Sequence, residues 1–389
     1  MTGVTDDPRL VERLHRVALC QLTEPGDVRV ANLISELGPG GLYRELVTPS
    51  VLATDSRTRS SRADAGARLA DLDPQAILDA GARRGLRFVI PGDEEWPTPV
   101  DDLCFAPYLQ ERGGVPLGLW VRGALRLNEL GTTVAVVGTR DSTAYGAELA
   151  AEIAASCGRA GVTVISGAAN GIDSFAHRGA MAVDAPTVAV LACGADRAYP
   201  QENRALIDEM TRDGAVVSEV GPDLPAMRMR FLARNRIIAA LSLGTVVVEA
   251  AVRSGALNTS NWAERLNRHV MGVPGPVSSE VSRGVHELLR RGGTVVTSGA
   301  DVLELLGVSG SHLLDDPRTP QRRRDRLTAR ERQILDAVPV GQAAITTSIA
   351  RTAGVDALTV SAALNRFVQR GLVERVPAGW QLTSAAVRG

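Results

Sequence analysis

From Val134 onward the chain alternates between short apolar runs rich in β-branched residues and longer stretches with apolar residues at three- and four-residue spacing. The runs predict strands at Val134–Gly138, Val162–Ser166, Thr187–Ala192, Ala215–Ser218, Thr245–Glu249, His269–Val273 and Thr294–Thr297. Helical periodicity separates them, at roughly 144–159, 172–183, 202–212, 232–242, 256–267, 282–291 and 300–306. After the first strand, for example, Leu149, Ile153 and Cys157 recur every fourth residue. Near-continuous apolar strands alternating with helices predict a parallel sheet covered on both faces, an α/β fold. Ligands of such sheets bind beyond the carboxyl ends of the strands. The glycine-bearing loops fall there: Gly138 to Arg140, Ser166 to Asp173, Cys193 to Ala195, Glu249 to Gly255 and Pro274 to Pro276. Together they predict a binding surface on one edge of the sheet.

The flanks read differently. Residues 1–80 predict a small helical domain, of SAM-like or helix-hairpin-helix-like build, with Leu10, Leu14, Val17 and Ala18 on one face and Val30, Leu33, Ile34 and Leu37 on another. Such modules serve protein contact or hold a nucleic-acid backbone, and the pattern leaves both open. Ser56–Arg62 is an expected exposed connection. The main domain is expected over 81–307. It begins with candidate strands at Phe88–Ile90 and Leu117–Val121, around the proline-rich run Trp96–Pro99, which predicts extended chain rather than helix. Residues 308–326 predict a linker whose Arg322, Arg323, Arg324 and Arg326 face only Asp325, a candidate contact for backbone phosphate. Residues 327–389 predict a winged helix: a capped helix from Thr328, a second at Ile345–Ala353, a third at Leu358–Arg370, then a two-strand wing. Thr359, Asn365, Arg366 and Gln369 on the third helix are its candidate DNA contacts, with protein contact as the competing reading.

Charge narrows the chemistry. Among 389 residues the net charge is −1, so attraction to nucleic acid or membrane must come from local clusters. Every basic residue is arginine; without lysine there is neither a Walker A phosphate loop nor a pyridoxal Schiff base. The cysteines Cys20, Cys104, Cys157 and Cys193 are widely spaced, so neither a metal site nor a disulfide framework is expected, and the cytoplasm is the default compartment. No apolar run reaches membrane-spanning length.

Catalytic candidates are thin. No GxGxxG follows Gly138, which argues against hydride transfer. His177, beside Asp173, reads as a structural hydrogen-bonding residue; Glu249 is a base, a ribose ligand or an orienter of arginines. The telling stretch is AMRMRFLARNR at 226–236: Arg228, Arg230, Arg234 and Arg236 with no acid among them, around Phe231 and before Asn235. Guanidinium for phosphates and a ring for base stacking is the chemistry of single-stranded nucleic acid, bound without regard to base sequence.

Several motifs resemble those of the bacterial DNA-processing protein A (DprA, or Smf) family: VAVVGTR at 134–140, VISGAANGIDSFAHRGAM at 164–181, TVAVLACGADRAYPQEN at 187–203, RNRIIAALS at 234–242, VVVEAAVRSGALNTS at 246–260 and VPGPV at 273–277. The resemblance implies a small helical N-terminal domain, an extended Rossmann-like domain and a C-terminal winged helix. It implies a cytoplasmic, dimeric binder of single-stranded DNA that loads the RecA recombinase during natural transformation, alongside single-strand-binding protein, without catalysis, metal or cofactor. Carried over by motif, the strand is held by Gly138, Thr139 and Arg140, by Ser166, Gly167, Ala168 and Asn170, and by Arg228, Phe231, Arg234, Asn235 and Arg236. The chain departs from the family pattern at Asn170, at Ala192 and at Ser282–His286. The competing class is an enzyme cleaving nucleoside monophosphates on a related fold, against which the segment Ser242–Glu249 lacks the paired glycines.

Overall fold

The computed structural model describes residues 7–47, 66–307, 327–384 and 386. The expected connection at Ser56–Arg62 and the arginine run at 322–326 lie outside the described residues. The chain forms two compact units, Met1–Leu313 and Leu314–Gly389.

The first unit is built on one nine-stranded sheet: β1 (Leu86–Val89), β2 (Leu119–Arg122), β3 (Thr133–Val137), β4 (Thr163–Ser166), β5 (Thr187–Val190), β6 (Ala215–Ser218), β7 (Gly244–Val247), β8 (His269–Gly272) and β9 (Thr294–Val295). Their order is β1-β2-β6-β5-β4-β3-β7-β8-β9. From β6 to β9 all pairings are parallel, as the alternation predicts. Antiparallel β2 and β1 extend the sheet beyond β6. The proline-rich run between them departs from expectation, because Thr98–Cys104 winds into a 3-10 helix. Pro99 stands in its first turn, where a missing N–H costs nothing.

Its helices are α1 (Pro8–Leu22), α2 (Val28–Val47), α3 (Pro74–Arg83), α4 (Ala144–Arg159), α5 (Ile172–Met181), α6 (Arg204–Met210), α7 (Arg228–Ala240), α8 (Gly255–Arg265), α9 (Glu280–Arg290) and α10 (Gly299–Leu305). The pleat sorts the core into two layers. Ala135 and Val137 of β3 pack with Ile237 and Ala240 of α7 and Trp262 of α8. Val134 and Val136 face the other way, onto Ile153 and Ala154 of α4 and Ile172 and Ala176 of α5. The chain leaves β3 toward β4 on one side and returns to β7 on the other, so the strand order reverses at β3 and β7, where an open α/β sheet leaves a crevice. The N-terminal helices are fastened to the sheet: Arg13 pairs with Asp93, and Arg16 donates to the Leu117 carbonyl at 2.9 Å. A sequence pattern cannot reveal such ties.

The second unit holds α11 (Ala329–Asp336), α12 (Thr346–Ala353) and α13 (Ala357–Gln369), then the hairpin β10 (Val373–Val376) and β11 (Gly379–Leu382). Thr328 and Glu331 cap α11 reciprocally. Its own core includes Ile334, Leu335, Ile349, Leu364, Phe367 and Trp380. On α13, Asn365 and Arg366 are exposed, Arg366 lies 3.5 Å from Glu331, and Thr359 is half-buried.

Candidate nucleic-acid interface

The loop after β3 is clamped by backbone. The Thr139 N–H donates to the Glu249 carbonyl at 2.7 Å, and the Thr139 carbonyl accepts from Ile172 N–H at 3.2 Å. Gly138 must lack a side chain, because a Cβ there would collide with Ile172. Held on both sides, the loop turns Arg140 into solvent, where its guanidinium carbon lies 4.7 Å from the centre of the Phe231 ring. Phe231 also meets Tyr199, with ring centres 5.6 Å apart and planes tilted by 58°.

Beneath Phe231 lies Arg234, 7 % exposed. It donates to the Val190 carbonyl at 2.6 Å and to Asn235 Oδ1 at 3.2 Å. Gly167 makes room for it, since a Cβ there would overlap the guanidinium. Burial pulls the Arg234 pKa down to about 10; the Asp173 carboxylate opposes that shift and the Arg140 charge adds to it. Arg234 therefore remains a cation at neutral pH. Burial raises the Asp173 pKa, against the charge of Arg234 and the N–H groups of Ala169, Gly167 and Gly138.

These residues border two adjoining hollows of about 320 and 810 Å³ that share Arg140, Phe231, Ser254 and Gly255. The outer one is also lined by Arg228, Arg253 and Tyr199. Arg140, Arg228 and Arg253 are all exposed, and among the described residues none of them forms an ion pair. No carboxylate lines the outer hollow. The groove is therefore cationic along an aromatic floor, on a chain whose overall charge is close to zero.

The structure brings together Gly138, Thr139, Arg140, Arg228, Phe231, Arg234 and Asn235. Others from the sequence reading sit elsewhere. Ser166 is fully buried and its hydroxyl donates to the Val136 carbonyl at 2.6 Å, stitching β4 to β3. Ala168 is buried with its carbonyl accepting from Asn203, whereas Asn170 is exposed on the same loop. Arg236 is not part of this surface. It follows Arg234 by two residues, about 200° round the helix, and is fully buried in a two-point ion pair with Glu219 at 2.7 and 2.8 Å. Arg230 is likewise engaged, by Glu24 at 2.8 Å. The arginines that appear unopposed in the local sequence are thus half neutralised by distant acids.

Neither catalytic candidate faces the groove as a reactive group. His177 Nδ1 lies 2.7 Å from Thr187 Oγ1, whose own proton goes to the Val164 carbonyl, so the imidazole donates from Nδ1. Burial lowers its pKa to about 3, leaving it neutral. The Glu249 carboxylate accepts from the Thr143 N–H at 2.9 Å and the Thr143 hydroxyl at 2.5 Å, which anchors the start of α4. Tyr199, Arg253, Asn258 and Gln110 escaped the sequence reading as site residues. Tyr199 carried a signal as one of the few aromatics in a chain with 3 % aromatic residues, and Arg253 carried one by lying in the glycine-bearing loop Glu249 to Gly255.

Residues 87–307 match the family described as DNA recombination-mediator protein A. The chain belongs to this family. A protein of Mycobacterium tuberculosis named as a DNA processing protein, DprA, is 38% identical over 382 residues, covering 94% of this chain and 93% of its relative. Among solved structures, DNA processing protein A from Streptococcus pneumoniae superposes with a TM-score of 0.57 at 28% identity, over 75% of this chain and 96% of that one. DNA processing protein A from Helicobacter pylori, whose structure is described as giving insight into a unique single-stranded DNA binding mode, reaches a TM-score of 0.50 at 25% identity, over 58% of this chain and 98% of that one. The family match spans β1 to the end of α10, and so contains the whole groove.

Proposed function

We propose that the groove beside Phe231 binds single-stranded DNA. The observation that carries this reading is the trio Arg140, Arg228 and Arg253, exposed and without ion-pair partners, around the Phe231 and Tyr199 rings. Phosphates meet guanidinium groups and bases meet rings, a combination worth roughly 1–3 kcal/mol per stacked base. The family's description as a recombination mediator, and the strand-binding relative from Helicobacter pylori, support the same assignment. On this reading the protein is a binder rather than an enzyme. It protects incoming strands and passes them to the RecA recombinase during transformation, as a cytoplasmic homodimer working beside single-strand-binding protein. An enzyme that releases bases from nucleoside monophosphates needs a carboxylate free to face the sugar, and Glu249 is committed to Thr143.

The domain assignment belongs to the same proposal: a helical module to residue 80, the strand-binding domain over 81–307, a linker at 308–326, and a winged helix from 327. The winged helix, through Thr359, Asn365 and Arg366, adds duplex or junction contact. Titration of the full chain, and of a chain ending near Gly307, with single-stranded and duplex DNA tests both parts. Single-strand affinity is expected to survive truncation while duplex affinity falls. Loss of single-strand affinity in a folded, truncated chain moves the site to the C-terminal unit. Release of free base from nucleoside monophosphates would restore the enzyme reading.

A further inference from the structure

On one wall of the groove, four side chains form a directed chain of hydrogen bonds. Arg234 Nε donates to Asn235 Oδ1 at 3.2 Å. Asn235 Nδ2 donates to the Gly255 carbonyl and to Asn258 Oδ1, each at 3.2 Å. Asn258 Nδ2 donates to Gln110 Oε1 at 3.3 Å. The direction is forced from the inner end. A guanidinium only donates and a backbone carbonyl only accepts, so the Asn235 amide has one possible orientation. That orientation sets Asn258, and Asn258 sets Gln110. The Gln110 oxygen is therefore turned to Asn258, and its Nε2 group is left as a donor in the hollow that Arg140 and Phe231 also line.

The backbone places Gln110 there at a cost. Leu109 and Arg112 exchange both N–H···O bonds, at 2.9 and 3.0 Å, across a two-residue turn. Its central residues Gln110 and Glu111 have φ of 50° and 58°. Turns of this left-handed type favour Asn-Gly, and a Gln-Glu pair is strained in one. Strain of this kind persists where the surroundings hold it, and it gathers at ligand sites. Here the turn is braced from behind by Gly113 N–H donating to the Gly26 carbonyl at 3.0 Å.

Resting on the single-strand reading above, we infer that Gln110 reads the base beside Phe231 and favours keto bases over amino bases. An amide that presents its Nε2 donor, with its oxygen turned to Asn258, suits O4 of thymine or uracil and O6 of guanine; it opposes the amino groups of cytosine and adenine. The groove then superimposes a base preference on a grip that is otherwise indifferent to sequence.

Oligodeoxyuridine and oligodeoxycytidine of equal length isolate this term, because their rings differ at the keto or amino position and the adjoining N3. At neutral pH the full-length protein is expected to bind the uridine oligomer about three- to tenfold more tightly, the range of one hydrogen bond. Gln110→Gly relaxes the turn rather than straining it, so the fold is kept while the ratio falls to about one through weaker uridine binding. Gln110→Glu replaces the donor with an acceptor and reverses the ratio, which a purely structural role would not do. Equal binding of both oligomers by the unaltered protein, or an unchanged ratio in Gln110→Gly, overturns the inference while leaving strand binding intact. Failure to bind either oligomer overturns the strand-binding reading itself, and this inference with it.

Discussion

Arg140→Ala weakens binding of single-stranded DNA by about ten- to a hundredfold and leaves the thermal midpoint where it was. A hydrogen bond to a charged group is worth about 1.5–3 kcal/mol, and each 1.4 kcal/mol is about a factor of ten in affinity. Arg140 is exposed and rests on the Phe231 ring, and its loop is held by the backbone of Thr139, so truncating it removes no core packing. Fluorescence anisotropy with a labelled oligomer, beside a thermal melt of the same sample, reads both quantities. A lowered midpoint with unchanged affinity would mean that Arg140 supports the loop instead of gripping the strand.

Glu219→Ala gives the opposite result. It is expected to destabilise the fold by roughly 3–5 kcal/mol, because it strands the fully buried Arg236 guanidinium without its counter-charge. The folded fraction should bind single-stranded DNA as before, since Arg236 faces away from the groove. Chemical denaturation measures the first effect and titration under native conditions the second. A stable Glu219→Ala protein with lost affinity would return Arg236 to the binding surface. The two substitutions therefore separate two arginines that stand 96 positions apart and whose local sequences both read as strand contacts.

What was legible in the sequence followed from local rules. Strands β3 to β7 stood out because strands buried on both faces must be apolar almost throughout, and turns must interrupt them. The position of the groove followed too, because glycine loops such as Gly138 to Arg140 mark strand ends. Pairing was the part that stayed hidden. Nothing within Leu119–Arg122 states that it lies antiparallel to β6, roughly 95 residues later. Arg230 looked free because its partner, Glu24, is 206 residues away. Ser166 entered the candidate site through its motif alone, yet its hydroxyl is spent within the sheet. Gln110 carried no signal at all; its place on the groove depends on a left-handed turn and on an amide chain drawn from α7 and α8.

The salt dependence of single-strand affinity reads the number of phosphates that the groove neutralises. If Arg140, Arg228 and Arg253 neutralise phosphates, the logarithm of the affinity should fall linearly with the logarithm of salt concentration, with a slope of about −0.7 for each phosphate neutralised. Three such contacts predict a slope near −2, and removing one arginine should flatten it by about 0.7. A slope near zero in the unaltered protein, or one that Arg140→Ala, Arg228→Ala and Arg253→Ala all leave unchanged, would contradict the account.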